Sequence, residues 1–463
     1  MKRLFISLLA CLCVGTASLA VSSCAVSVSV QPVPNKNSSN STQANSSSKE
    51  SSSKEVESSS GDGDSSYVDN SSDNEESASE WDESTSEGEE SLIASEGLEY
   101  TLSDDGLYYI VTGIGSCEDT ELVIPSAYNN LPVTTIGDYA FEDCSGLTSV
   151  VIGDSVTKIG DGAFYNCTSL TSVVIGDSVT TIGADGFGYC EGLTAVYLTD
   201  IAAWCNITFE DRYANPLYRA ENLYLNGERV TELVIPDEVS TIGNYTFSYC
   251  KNVTSVVIGD SVMEIEGEAF VGCYKLVEVY NKSSLTITQG SEEYGYVGYY
   301  AKNIYTLTSG ESKLSNDNGY LIYTDGEEKI LIEYTGDETD LVLPSYITQI
   351  HQDAFYNCSS LTSVVIGDSV TSIGDYAFYA CDSLKSVAIG DGVTTIGEKA
   401  FYACKKLTRV YYKGTAYDWS SISIEGEYNY YLTNATRYYY SETVPTNGGN
   451  YWHYDQNGEI AIW

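Results

Sequence analysis

The chain is 463 residues long and carries 66 acidic against 22 basic side chains, for a net charge of −44, with 13 cysteines, 40 tyrosines and two histidines. That balance argues against nucleic-acid binding, which needs lysine and arginine to neutralise phosphates, and it repels anionic membranes while attracting basic protein surfaces. With only His351 and His453 present, histidine-based nucleophilic triads have almost nothing to draw on.

The first 24 residues, MKRLFISLLACLCVGTASLAVSSC, place Lys2 and Arg3 before an apolar run that gives way to small residues, the pattern of an export signal. The run is too short, and too soon broken by Ser and Thr, for a permanent span. Val21-Ser22-Ser23-Cys24 resembles the lipobox of bacterial lipoproteins and predicts a lipid anchor on Cys24, so that the chain meets the membrane only through that anchor. The competing reading is ordinary cleavage after Ala20. Residues 25–95 are then dominated by serine, and 49–99 hold 17 acidic side chains against Lys49 and Lys54. Such a segment has too little apolar surface to offset its ordering entropy, which predicts a disordered, self-repelling linker that holds the rest of the chain away from an envelope.

Beyond it a single unit recurs. Phe-x-x-Cys pairs fall at Phe141/Cys144, Phe164/Cys167, Phe187/Cys190, Phe247/Cys250, Phe270/Cys273, Phe355/Cys358, Phe378/Cys381 and Phe401/Cys404, spaced 23 residues within each group. The undecapeptide LTSVVIGDSVT occurs unchanged at 147–157, 170–180 and 361–371. In 170–190 the apolar framework is Leu170, Val173, Ile175, Val179, Ile182, Phe187 and Cys190; in 361–381 it is Leu361, Val364, Ile366, Val370, Ile373, Phe378 and Cys381. Leu-x-x-Val-x-Ile has the alternation of a short strand with one buried face. Gly-Asp-Ser turns the chain, a second extended piece comes next, and Phe with Cys fits the inner side of a short helical turn. No unit this small can bury its apolar side alone, whereas stacked copies can. The expected fold is an α/β-type solenoid of 23-residue coils, with short strands stacked in a sheet and turns and short helical segments opposite.

Two longer stretches, 196–223 and 410–438, align Trp204 with Trp419 and Leu217 with Leu432, and read as elongated coils that close a block. A third interruption, 279–340, contains SEEYGYVGYY and a predicted hairpin, GYLIYTDGEEKILIEY, centred on Asp325-Gly326. The array is therefore expected in three blocks, about 96–228, 229–340 and 341–440, within one continuous solenoid, followed by an aromatic tail or cap over 441–463.

The run I-G-x-x-A-F-x-x-C-x-x-L-x-x-V-x-I-G/P-x-x-V is followed almost throughout by Ile159 to Val179 and by Ile373 to Val393. It resembles the cysteine-containing leucine-rich repeats (leucine-rich repeat 5 type) of BspA-like bacterial surface proteins, over about 120–440. The resemblance implies a leucine-rich repeat fold and a secreted or cell-surface protein, in some relatives an adhesin. It supplies no catalytic residue to carry over.

Read without that resemblance, the residues give the same negative. The regularly spaced cysteines lack C-x-x-C partners and do not suit tetrahedral zinc; they read as buried free thiols, with Cys117 and Cys205 outside the ladder the better candidates for any bridge. The Gly-Asp turns place Asp154, Asp177, Asp260, Asp368 and Asp391 in a column, but no second acidic column completes a calcium site. No catalytic residue, metal site or cofactor is expected. The informative excess is tyrosine. Tyr294, Tyr296, Tyr299 and Tyr300 sit in an interruption, where a binding loop can protrude, and serve equally well as cover for the array. The aromatics of 428–463 suit a solenoid cap, with Tyr451 and Trp452 as possible binding residues. The sequence thus points to a non-enzymatic surface protein that binds an extracellular protein or glycan, or, alternatively, to a structural envelope component with no dedicated ligand.

Overall fold

Alternating Leu, Val and Ile, broken by Gly-Asp-Ser, produce the single turn of chain that the molecule repeats. In the computed structural model, which describes residues 93–306, 311–446 and 448–463, residues 147–169 make one such coil. The export signal, Cys24 and nearly all of the acidic linker lie outside the described residues. Strand Ser149–Ile152 pairs in parallel with Glu121–Ile124 on one side and Ser172–Val174 on the other; the shorter Lys158–Ile159 pairs with Leu131–Ile136 and Thr181–Ile182. Leu147, Val150, Ile152, Val156, Ile159, Phe164 and Cys167 point inward, none more than 3% exposed. At one corner Thr148, Thr171 and Thr194 each donate both N–H and Oγ1–H to the carbonyl of the threonine one coil earlier. Inside, the phenylalanines stack on one another, with centroids 5.1 Å apart for Phe141–Phe164 and Phe164–Phe187, and 4.6 and 4.9 Å for Phe355–Phe378–Phe401.

The run that carries Phe and Cys departs from the expectation: it is not helical. Tyr139 and Asp143, Gly162 and Asn166, Asp185 and Tyr189, and Tyr376 and Ala380 all have φ between 53° and 59°. An α-helix needs every N–H aligned with its own axis, and left-handed residues four positions apart prevent that. They turn alternate amides sideways, so that Tyr139, Phe141 and Asp143 donate to the carbonyls of Asp161, Ala163 and Tyr165 in the next coil. Between them, Ala140, Glu142 and Cys144 close tight i→i−3 turns. The fold is therefore a β-solenoid stacked almost entirely as parallel sheet, with no helix layer opposite. The described residues contain four short helices, α1 (Ile201–Cys205), α2 (Leu217–Ala220), α3 (Ala416–Ser420) and α4 (Tyr430–Asn434), all in the two elongated coils.

Five of the eight repeat cysteines share one kind of partner. Cys167, Cys190, Cys273, Cys381 and Cys404 donate S–H to the carbonyls of Phe141, Phe164, Phe247, Phe355 and Phe378, in each case one coil earlier, at 3.1–3.2 Å. All ten described cysteines, Cys117 and Cys205 included, are free thiols. Burial pushes the thiols of Cys205 and Cys250 up to about 12 and that of Cys358 up to about 11, so the reactive thiolate is suppressed.

The first elongated coil stops the regular ladder. After strand Leu223–Leu225, the strand Glu228–Arg229 folds back antiparallel, and the next sheet begins anew at Glu232–Val234. Side chains carry the connection: Trp204 Nε1 donates to the Thr246 carbonyl, and the buried Asn252 amide bonds the carbonyls of Leu223 and Val230. One hydrophobic core accordingly runs from Leu98 to Ala301, and a second from Ile322 to Leu432. The second array opens with the hairpin expected around Asp325-Gly326, strands Tyr320–Asp325 and Glu328–Tyr334, whose Ile330 and Leu331 start the parallel ladder with Gln349 and Ile350. Its far sheet ends with strands Thr436–Tyr440, Tyr451–Tyr454 and Ile460–Ile462.

Two outcomes test this packing. Phe378→Ala removes the middle ring of a stack and is expected to cost roughly 3–5 kcal/mol in denaturant unfolding, against about 1–2 kcal/mol for Cys381→Ala. The native protein should leave Cys381 and Cys404 unmodified by Ellman's reagent until it is unfolded.

Candidate functional site

The aromatic segment 292–300 does not project as a free loop. Gly295 accepts the Phe270 amide at 2.7 Å, taking the place that Ala269 has against Phe247 one coil earlier, so the segment forms the last coil of the first array. Gly295 has φ +63°, and a Cβ there would lie 2.5 Å from the Glu266 carbonyl oxygen, so only glycine fits. Tyr294 packs against the core. Tyr296, Tyr299 and Tyr300 form an edge-to-face chain that continues to Tyr274, and Tyr300 Oη accepts the Gly272 amide. Tyr299 is 42% exposed, and Glu292 and Glu293 beside it are exposed too. The outer surface of this coil is thus a tyrosine cluster edged by carboxylates.

Tyr451 and Trp452 are in a different place, at the end of the second array. Trp452 is 1% exposed, donates Nε1–H to the Tyr412 carbonyl, and meets Tyr411, Tyr440 and Tyr454 edge-on. It covers Ala388 and Tyr411 on the outer face of the sheet. Tyr451 is half-buried in the same strand. The framework residues of 170–190 and 361–381 are all buried in the cores. The two tyrosine groups therefore stand at the ends of separate arrays.

Between the arrays lies a charged junction that the sequence did not announce. Glu333, from the hairpin, is 6% exposed and takes a forked pair of bonds from Arg229 at 2.9 Å and one from Lys275 Nζ at 2.7 Å. Burial works against its charge, but Lys275 and Arg229 hold its carboxyl down at about 2. Lys251 bonds Glu221 and sits 3.9 Å from the centroid of the Tyr356 ring of the second array. Near it Asp353, 1% exposed and left-handed (φ 57°), has no hydrogen-bond partner on either carboxylate oxygen; burial pushes it up to about 6, with Lys251 and Lys275 pulling the other way. His351 is half-buried here, and desolvation, reinforced by Lys302 and Lys275, pulls it down to about 4. Among the described residues no cluster of His, Cys, Asp and Glu could hold a metal ion, and no helix is long and apolar enough to cross a membrane.

A parallel solenoid of 23-residue coils with inward Leu, Val, Ile, Phe and Cys is the architecture of a leucine-rich repeat protein. Residues 116–211, 220–294 and 333–450 match the BspA type leucine rich repeat region, in six copies, and the chain belongs to that family. No curated protein matches it. Among solved structures it is similar to a leucine rich cell surface protein of Faecalibacterium prausnitzii, at 25% identity over 72% of this chain and 97% of that one, with a TM-score of 0.31. It is also similar to leucine-rich repeat proteins of Bacteroides ovatus (19% identity, 76% and 90% covered, TM-score 0.28) and Eubacterium ventriosum (19%, 75% and 77%, TM-score 0.30).

The junction has a defined pH signature. Glu333 contributes stability above its ordinary value near 4.5, and this is lost as pH falls toward 2. His351 must gain a proton on unfolding below 6.5, so it costs stability as pH falls from 6.5 to 4; Asp353 is penalised when charged, and that penalty is relieved as pH falls from 6 to 3.8. The two oppose each other across pH 4–6. Relative to the unmodified chain, Asp353→Asn should therefore lose, and His351→Gln gain, on the order of 2–3 kcal/mol between pH 6 and 4. Parallel stability curves for all three proteins would contradict this arrangement.

Proposed function

We propose that this chain is a non-enzymatic, exported surface protein, held by a lipid on Cys24, that binds an extracellular protein or glycan and so mediates adhesion to host material or to other bacteria. The observation that carries the reading is the cluster of Tyr296, Tyr299 and Tyr300 beside Glu292 and Glu293, at the point where the regular coil surface is broken. Tyrosines fixed by edge contacts offer large, stiff contact area at low entropic cost, and the carboxylates favour a basic partner. Trp452, by contrast, is committed to closing the second array. Membership of the BspA type leucine rich repeat family supports the surface location.

The structural-component reading has its own support. The last strand, Ile460–Ile462, is an outermost strand with Ile462 48% and Trp463 42% exposed, a surface suited to end-to-end association.

Binding to matrix-protein and glycan arrays should be saturable, and Tyr296→Ala with Tyr299→Ala should weaken it by about tenfold or more while the melting temperature stays within a few degrees. Concentration-dependent chain-end association with no array binding would favour the structural reading instead. Cys24→Ala should move the protein from the membrane fraction to the medium; retention in the membrane would remove the lipid anchor from the proposal.

A further inference from the structure

The break after the first elongated coil leaves two strand edges without partners. In every regular coil of the short-strand face, two amides donate back to the preceding coil. Thr157 and Gly160 donate to Thr134 and Ile136, Thr180 and Gly183 to Thr157 and Ile159, Thr208 and Glu210 to Thr180 and Ile182, and Met263 and Glu266 to Ser240 and Ile242. Ser240 and Gly243 stand at the same positions in the coil after the break, and no such bond links them to Thr208 or Phe209. Strand Thr208–Phe209 pairs only with Thr181–Ile182, and Thr241–Ile242 only with Glu264–Ile265.

The glycines record the same gap. A Cβ added at Gly160, Gly183, Gly374 or Gly397 would lie 2.2–2.5 Å from an atom of the preceding coil, whereas at Gly243 the nearest atoms are Thr246 Oγ1 at 3.5 Å and the Ile207 carbonyl oxygen at 4.0 Å. The coil before Gly243 stands back, and the space between is an open cleft of about 300 Å³ lined by Thr208, Phe209, Glu238, Ser240, Gly243 and Glu266 among others. Its lining has two carboxylates and no basic side chain.

We infer that this cleft is a strand-addition site for an extended segment of a partner protein bearing lysine or arginine. A strand edge with unmatched amides is a template for main-chain pairing. Here a docked segment meets the unmatched amides of the Ser240–Gly243 edge, with the Thr208–Phe209 edge on the far side of the cleft, while Glu238 and Glu266 select a basic side chain over an acidic one. Tyrosine stacking has no part in it, so the site is separate from the 292–300 cluster. The inference deepens the reading of the chain as a binding protein and supplies a second contact with the partner.

The test uses the full chain and a labelled synthetic pentapeptide, Lys-Val-Thr-Val-Lys, followed by fluorescence anisotropy. Three changes should each weaken binding at least tenfold: N-methylation of the central peptide amides, replacement of both peptide lysines by glutamate, and Gly243→Leu in the protein. At Gly243 a Cβ comes no closer than 4.0 Å to the preceding coil, so Gly243→Leu should change the unfolding midpoint little, whereas Gly183→Leu, at the crowded equivalent position, should be clearly destabilised. Equal binding of the N-methylated or glutamate peptide, or full binding by Gly243→Leu, would overturn the site. The two proposals fail separately. Array binding that survives Gly243→Leu with no peptide binding sinks the cleft alone, and peptide binding with no array binding sinks the adhesion reading alone.

Discussion

Every regular coil of this chain, apart from its tight turns, satisfies its backbone on its neighbours. The parallel ladders of both strand faces connect residues 23 positions apart, and the sideways amides of the Phe-Cys run connect residues 22 apart. A buried amide left unpaired costs as much as a lost hydrogen bond, so neighbouring coils must repeat not only apolar slots but backbone conformation, residue by residue. The repeated undecapeptide, the phenylalanine stack and the thiol donated to a phenylalanine carbonyl all follow from that demand. It also dictates what the ends need. Where the ladder stops, Trp204 and Asn252 substitute side-chain bonds for backbone ones, Gly295 imitates the next coil, and Trp452 with the last two strands covers the final one.

The charges are arranged on a different principle. In so acidic a chain, Arg229, Lys251 and Lys275 are gathered at the junction, where they face Glu333 and Asp353 across the two cores. Buried ion pairs gain little net stability over apolar contacts because desolvation offsets attraction, yet removing one partner is costly. Such a set serves best as a register key, since a slip of the second array along the first would strand Glu333 among apolar neighbours. The unbonded carboxylate of Asp353 and the neutral ring of His351 show that the fit was not optimised for stability alone.

How much could be read in advance depended on repetition. Strand positions, inward slots and the hairpin at Asp325-Gly326 were legible because each is either copied many times or marked by local turn chemistry. The Phe-Cys run misled because Ala-Phe-x-x-Cys has the spacing of a helical turn, while the left-handed residues that forbid a helix are Tyr, Asp, Asn, Lys and Ala rather than glycine alone. The junction left no trace, since Glu333 lies in an apolar strand and its partners are 58 and 104 residues away. The aromatic tail named Tyr451 and Trp452 together, but Trp452 is buried on the outer face of the sheet, over Ala388 and Tyr411. Only packing separates a tryptophan that closes a core from one that waits for a ligand.

The constant register of 23 has one more consequence. Because coils meet only those before and after them, removal or duplication of one identical unit inside a block preserves every local contact and changes only the distance between the ends. The distance between the two ends is then adjustable in steps of one coil, without any cost to the surfaces at either end.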